Sequence, residues 1–429
     1  MADRARDRAD ALLSNLGFSP AFRSRRMDAL SGGWRVRTCL AAALFARPDV
    51  LLLDEPTNHL SIDAVLWLSR ELATNPLWDD RIIVVVSHDR FFLDDSCTDT
   101  LHISGAARRL TQSRGSYTAW AERRAEQQKA WKHAADLRAA KRDKLKEYTQ
   151  HGFKYGGSAG QINMQQKKIK EIAKLDKEAE AEADELAALN EDEELPLTLE
   201  AGGLLDKSAL QLSEVGFSYT GSPDDLLFNS ADFTLDSKSR VCLLGENGTG
   251  KTTLVKIIKG LLEPTVGEIK RANGVRIEVV NQHHAEQLSY DLSPLAFMLQ
   301  QFPGDGSLDH ELKLRSHLAQ CGIGAKLQLT LARGLSGGQR SRVAMAAVSY
   351  ARPHILICDE PTNNLDLEAV EALADCVERF QGGVLIISHD QYFVSKVAHE
   401  VRVIDGGKVF RVPSFDAYKK TVLKAIAAR

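Results

Sequence analysis

Val241-Cys242-Leu243-Leu244-Gly245-Glu246-Asn247-Gly248-Thr249-Gly250-Lys251-Thr252-Thr253-Leu254-Val255-Lys256-Ile257-Ile258 is the stretch that decides the fold. Its first four residues are an unbroken apolar run, the pattern of a strand buried on both faces. Gly245 to Thr252 then fits G-x-x-x-x-G-K-[ST], and the apolar residues that follow continue as a helix. A strand, a glycine-rich loop and a helix in that order make an anion cradle. The loop N–H groups point inward, and the helix start adds the positive end of its dipole. Lys251 is expected to reach the β- and γ-phosphates of a nucleoside triphosphate, and the Thr252 hydroxyl to hold Mg²⁺. A glycine turn without a ligand is the plain alternative, and the motifs downstream argue against it.

Ile355 to Cys358 reads as another buried parallel strand, closed by two adjacent carboxylates. Asp359, at the strand end, suits Mg²⁺, and Glu360 suits the task of polarising an attacking water. His389 follows the apolar run Val384-Leu385-Ile386-Ile387 and can contact the γ-phosphate and that water. The competing readings are a surface ion-pair glutamate and a structural histidine. Phosphoryl transfer asks for positioning and charge stabilisation rather than covalent chemistry, and these residue types supply both.

Working outward, the chain repeats itself. Leu30-Ser31-Gly32-Gly33-Trp34 returns as Leu335-Ser336-Gly337-Gly338-Gln339, Asp54-Glu55-Pro56-Thr57-Asn58 as Asp359-Glu360-Pro361-Thr362-Asn363, and Ser87-His88-Asp89 as Ser388-His389-Asp390. The offsets are 305, 305 and 301 residues. Three ordered motifs at a near-constant offset mark two related units. The first copy keeps Asp54, Glu55 and His88 but has no phosphate loop in this chain. It reads as an incomplete copy, N-terminally truncated.

Between the copies, from about Trp120 to Leu189, the residues are those of long helices, interrupted by a glycine-rich stretch at 151–160, so a helical hairpin is predicted. Its apolar seam is Ile162, Ile169, Ile172 and Leu175. From Glu122 to Lys174 there are 14 Lys/Arg against 6 Asp/Glu. Arg138, Lys141, Arg142, Lys144, Lys146, Lys154, Lys167 and Lys168 are the candidate phosphate contacts, with Phe153 and Tyr155 as stacking partners. A solvated hairpin without a partner is the alternative. From Asp176 to Glu200 the sign reverses, with 11 acidic residues and one lysine. The predicted boundaries are 1–115 for the first cassette part, 116–206 for the linker, 207–412 for the complete cassette and 413–429 for a C-terminal tail.

The bulk numbers agree with a globular protein. The chain has 429 residues, 44% hydrophobic and 26% charged, with a formal net charge of −3. There is no apolar run of membrane-spanning length and no secretory signal at Met1 to Asp10. Cys39, Cys97, Cys242, Cys321, Cys358 and Cys376 are scattered, with no CxxC pair, so reduced thiols in a cytoplasmic setting are expected. His283-His284 lack partner ligands at metal-binding spacing.

The order phosphate loop, LSGGQ, Asp-Glu, histidine resembles the ATP-binding cassette family. The resemblance covers about residues 9–101 as a shortened copy and 209–410 in full. It implies an α/β fold of two P-loop cassette domains, the first incomplete, joined by the helical hairpin. It also implies a head-to-tail cassette sandwich within the chain, with a Mg²⁺-dependent ATPase site. By the same resemblance Gln282 senses the γ-phosphate and metal, Tyr219 stacks on adenine, and Leu365-Asp366 passes between cassettes. Gly245 to Thr253 would hold the phosphates, and Ser31, Gly32 and Gly33 would close the site from the other cassette. Asp54, Glu55, His88, Ser336, Gly337 and Gly338 remain of the second, incomplete site. LSGGW, Glu55-Pro56-Thr57-Asn58-His59-Leu60 and the charged hairpin resemble the ABC-F group, which implies a soluble ATPase acting on the ribosome, with rRNA and tRNA as partners. Ser61 departs from the aspartate usual there, although Asp63 is close by. A membrane transporter's ATPase subunit, a DNA-repair ATPase and a non-hydrolysing fragment are the rival readings.

Overall fold

The structure, a computed structural model, describes residues 2–58, 60–104, 108–151, 166–177, 199–203, 205, 208–281, 288–363, 365 and 367–427. The chain divides into two compact units, Met1–Ser96 with Leu195–Arg429, and Cys97–Glu194.

The first part of the larger unit holds α1 (Ala2–Asn15), α2 (Pro20–Arg23), α3 (Gly32–Ala46), β1 (Val50–Asp54), α4 (Ile62–Thr74), β2 (Ile82–Val86) and α5 (Arg90–Ser96). β1 and β2 pair in parallel, Val50 to Ile82 through Asp54 to Val86. Because strand side chains alternate between faces, Leu51, Leu53, Ile83 and Val85 join a core with Leu40, Leu44, Leu68 and Phe92. The other face is bare. Val50, Leu52, Ile82 and Val86 are 50–71% exposed.

The smaller unit holds the antiparallel hairpin β3 (Asp99–Ser104) and β4 (Arg109–Arg114), the long helix α6 (Tyr117–His151) and a helix α7 over 166–177. Lys141 pairs with Glu171 at 2.6 Å and Arg142 with Asp176 at 3.6 Å, so the two helices meet as a hairpin would require. Of the expected seam, Ile169 is 52% exposed, Ile172 and Leu175 are half-buried, and Ile162 lies outside the described residues. Ion pairs therefore join these helices alongside a partly exposed apolar seam. Phe153, Lys154 and Tyr155 also lie outside the described residues.

The second cassette runs β5 (Leu210–Phe217), β6 (Phe228–Leu235), β7 (Arg240–Gly245), α8 (Lys251–Ile258), β8 (Val266–Arg271), β9 (Ile277–Asn281), α9 (Pro294–Gln301), α10 (Leu308–Gln320), α11 (Ala325–Leu329), α12 (Gly337–Tyr350), β10 (Ile355–Asp359), α13 (Leu367–Arg379), β11 (Gly383–Ile387), α14 (Gln391–Val397), β12 (Glu400–Asp405), β13 (Lys408–Val412) and α15 (Phe415–Ala427). Nine strands form one sheet in the order β8-β5-β6-β13-β12-β7-β11-β10-β9. Its β12-β7-β11-β10-β9 part is parallel, and β7, β11 and β10 are buried on both faces. Ile355, Ile357, Leu385 and Ile387 pack with α8 through Leu254, Ile257 and Ile258. Leu356, Cys358, Val384 and Ile386 pack with α13 and α14 through Val370, Val377 and Phe393.

Two expectations change here. Residues 413–429 were expected as a tail, but 415–427 form α15, with Phe415 and Val422 buried in the core beside α4 residues Ile62 and Leu66. An amphipathic face packed on two neighbours makes this stretch part of the fold. The segment before α6 also differs from its expected grouping, since β3 and β4 fall in the smaller unit rather than with residues 1–96.

Candidate nucleotide site

β7 delivers the chain to the loop, and two glycines set the loop's path. Gly245 (φ 151°) lies so close to the Ile404 carbonyl that an added Cβ would sit 2.6 Å from it. Gly250 (φ 102°) would bring a Cβ to 2.7 Å from the Phe228 ring. Both positions require glycine by backbone angle and by space. Lys251 opens α8, is 9% exposed, and donates through Nζ to the carbonyls of Gly245 (2.6 Å) and Glu246 (2.9 Å). Burial lowers its pKa, while Glu360, Asp359 and Glu246 act in the opposite direction. Thr252 is exposed beside it. Thr253 is buried and shares a 2.8 Å hydrogen bond with the Tyr219 hydroxyl. The Tyr219 ring meets Phe217 edge-on at 5.0 Å and is 69% exposed, so one face remains open for stacking.

β10 and β11 bring the candidate acid–base groups together at the C-terminal ends of neighbouring strands. Glu360 follows β10 and adopts φ 51°, a left-handed conformation unusual for a residue with a Cβ. Glu55 repeats it at φ 47°. Strain of this kind persists where surrounding contacts fix it, and it gathers at functional sites. In each copy the backbone N–H of the glutamate donates to the last residue of the neighbouring strand, Ile387 (2.7 Å) or Val86 (2.8 Å). His389 Nε2 stands 3.2 Å from Glu360 Oε1, and His88 Nε2 stands 3.2 Å from Glu55 Oε1. Burial raises Glu360 to about 8 against the pull of Lys251. Burial, with the charges of Lys251 and Arg37, lowers His389 to about 3. His389 is therefore a neutral imidazole, so the contact is not an ion pair, and the hydrogen bond between the two residues runs from the His389 backbone N–H to Glu360 Oε2 at 3.3 Å. Among the described residues the buried His389 Nδ1 has no hydrogen-bond partner, and neither has Asn281 Oδ1 at the end of β9.

These donors suit a magnesium nucleotide. Among the described residues no group of three or more His, Cys, Asp or Glu forms a metal cage. Mg²⁺ in phosphate chemistry is held by one or two protein groups with phosphate and water completing the shell. The Thr252 hydroxyl and the half-buried Asp359 match that set. Gln282, along with His283-His284, lies outside the described residues, as do His59 and Asp366.

The two LSGGx turns are built differently. Ser336 caps α12 in a reciprocal box with Gln339. Ser31 caps α3 with no side-chain hydrogen bond, and Trp34 at N3 has no side-chain acceptor to return a bond to the Ser31 backbone N–H. Trp34 instead packs on Phe18 and Phe22, with the Arg37 guanidinium 4.5 Å over its ring. Ser31 is exposed, and Gly32 and Gly33 begin the helix. Gly337 and Gly338 begin α12.

The sequence reading missed residues that join the two copies. Arg37 is buried and donates to the Leu16 carbonyl, and its charge acts on Glu246, Lys251 and His389. Asp63 accepts from Tyr418 of α15 at 2.8 Å. Ser61, the departure from the family pattern, simply caps α4. Arg90 donates to Leu367 and Glu371. A cavity of about 350 Å³ lies between Asp63, Trp67, Glu246 and Tyr418. A comparison of the repeats holds one signal for these residues, since Arg90 stands where the second copy has Gln391.

Comparison with known proteins accords with this geometry. The ABC transporter family matches residues 3–58 and 228–363. ABC transporter F family member 3 of Arabidopsis thaliana is 37% identical over 97% of this chain and 55% of its own length. Human ATP-binding cassette sub-family F member 3 is 37% identical over 97% of this chain and 56% of its length. Mouse sub-family F member 2 is 36% identical over 98% and 64%. The chain thus spans a little over half the length of these relatives. Among solved structures, the complex of archaeal ribosomal stalk protein aP1 and archaeal ribosome recycling factor aABCE1 aligns with a TM-score of 0.61. Its identity is 18%, over 99% of this chain and 72% of that one, a likeness of fold. Among the described residues no helix is long and apolar enough to cross a membrane. With two cassette copies in one chain, LSGGW in the first and matches along nearly its whole length, the chain belongs to the F subfamily of ATP-binding cassette proteins.

Proposed function

We propose that this chain binds and hydrolyses ATP at the second cassette and couples that cycle to a ribosome through the basic helices between the cassettes. One observation carries the reading. The phosphate loop with buried Lys251, and the strained Glu360 with neutral His389, stand on adjoining parallel strands of one sheet.

In this reading the N–H groups of Gly245 to Thr252 and the Lys251 ammonium bind the phosphates. Thr252, Asp359 and Gln282 hold magnesium, which when bound supplies neutralisation of charge on the transferring phosphoryl group. Glu360 accepts the proton of the attacking water, and neutral His389 orients that water. Tyr219 stacks on adenine. Ser31, Gly32 and Gly33 close the site, and Ser336 to Gly338 with Asp54, Glu55 and His88 are the corresponding parts of the first copy. Lys251→Met keeps the buried volume and removes the charge, so affinity for a fluorescent ATP analogue drops by about a hundredfold. Unchanged affinity would remove the second cassette as the binding site.

For the partner, Arg138, Lys144 and Lys146 lie on α6, and Lys167 and Lys168 on the helix over 166–177. Lys141 and Arg142 instead pair the two helices. Support for a ribosomal partner comes from this basic surface and from the ABC-F relatives. An electrostatic arm makes ribosome binding weaken with salt, less steeply once Arg138, Lys144 and Lys146 are replaced by glutamine. Co-purification with an integral membrane protein would favour the transporter reading instead.

A further inference from the structure

Arg90 follows Ser87-His88-Asp89 and opens α5, at the place where the second copy has Gln391. Its Nη2 donates to the Leu367 carbonyl at 2.9 Å and to the Glu371 carboxylate at 2.7 Å. Its guanidinium also lies 4.3 Å over the Tyr392 ring. Leu367 is the first residue of α13, the helix reached directly after the Glu360 turn, and Tyr392 is in the first turn of α14, directly after His389. One side chain from the first copy therefore grips the starts of both helices that follow the acid–base pair of the second.

The surroundings give that cation a further task. Asp89 caps α5 by accepting from the Phe92 N–H at 3.0 Å, and Asp390 caps α14 by accepting from the Phe393 N–H at 2.9 Å. The two carboxylates are close enough to repel. The Gln391 side chain bonds Asp89, and Arg90 offsets the charge of Asp390. Nearby, Lys396 pairs with Asp375 and donates to the Tyr392 hydroxyl at 3.2 Å. Two like charges at a junction need a fixed counter-charge, and a planar guanidinium with two bonds and a stacked face is a rigid one.

We infer that Arg90 is a positioning residue for the second site: by clamping α13 and α14 from the other cassette, it sets where Glu360 and His389 stand relative to the phosphate loop. This rests on the proposed hydrolysis at Glu360. The contacts of Arg90 to Leu367, Glu371 and Tyr392 lie on α13 and α14, so its loss is expected to act on turnover rather than on nucleotide binding.

The test uses the full chain with Arg90→Ala, Arg90→Lys, Glu371→Gln, the Arg90→Ala/Glu371→Gln double variant and, as control, Glu360→Gln. Steady-state ATP hydrolysis, titration with a fluorescent ATP analogue and urea unfolding are measured on each. Arg90→Ala is expected to lower kcat about tenfold, with nucleotide affinity within about twofold of wild type. Arg90→Lys restores part of it, and the double variant is no worse than Arg90→Ala. A normal kcat in Arg90→Ala beside a dead Glu360→Gln overturns the inference, and so does a parallel loss of affinity. If Glu360→Gln turns over like wild type, the hydrolysis reading fails by itself. The clamp is then judged by unfolding, where additive effects of Arg90 and Glu371 overturn it and non-additive effects sustain it.

Discussion

The Tyr418 hydroxyl donates to Asp63 Oδ1 across 2.8 Å, tying the C-terminal helix to the first turn of α4, 355 residues earlier in the chain. The bond lies where α15 and α4 pack together, with Ile426 reaching the core of the first copy and Ile62 and Leu66 reaching that of the second. Burial and the charges of Asp63, Glu246 and Asp405 all push the Tyr418 hydroxyl well above the usual tyrosine range, so it stays protonated and able to donate. Tyr418→Phe removes the donor and leaves a carboxylate without it. Urea unfolding is expected to show a loss of about 1–3 kcal/mol. A change below the error of the extrapolation would mean that water replaces the hydroxyl at no cost.

Glu360 gives a pH dependence with a definite sign. Burial raises it to about 8, so the free protein gains the base form as pH rises through that value. The ratio kcat/KM reports free-enzyme groups, and is expected to climb between pH 6 and about 8 and then level off. Glu360→Gln should lower kcat by about 10²–10⁴-fold, abolish that limb, and leave nucleotide binding in place. A profile flat across the range would exclude Glu360 as the base.

Asp89 gives a stability dependence instead. Burial, with repulsion from Asp390, raises it to about 7 in spite of the Phe92 and Gln391 hydrogen bonds. A carboxyl raised in the folded state contributes stability that is complete below its unfolded value near 4 and is lost as pH rises through about 7. The unfolding midpoint should therefore fall between pH 5 and about 8. Asp89→Asn should flatten that slope and raise stability at the alkaline end, if the amide still caps α5. An unchanged slope would show that other groups govern it.

Much of this candidate site was legible because its motifs are local. A glycine loop between strand and helix, an Asp-Glu pair at a strand end and a histidine after the next strand each suggest a role through neighbours in sequence. The repeat then placed the first copy's remnants. What stayed hidden depends on residues far apart in the chain. Trp34 in place of Gln339 signals a subfamily in sequence, yet its packing on Phe18 and Phe22 and the absence of a Ser31 side-chain cap bond appear only in the structure. The basic hairpin was legible as charge, whereas the pairing of Lys141 and Arg142 with Glu171 and Asp176 was not.

By itself the sequence determined the strand–loop–helix succession at the phosphate loop and the two-copy plan, and singled out Lys251, Glu360 and His389 as candidates, because buried parallel strands and phosphate loops allow few residue types at each position. Tertiary structure alone decided that residues 415–427 are a packed helix, that Glu360 holds its proton to about pH 8 while His389 is neutral, and that Arg37, Arg90 and Tyr418 join the copies. Desolvation and long-range pairing depend on which side chains meet in space, and no periodicity along the chain encodes that.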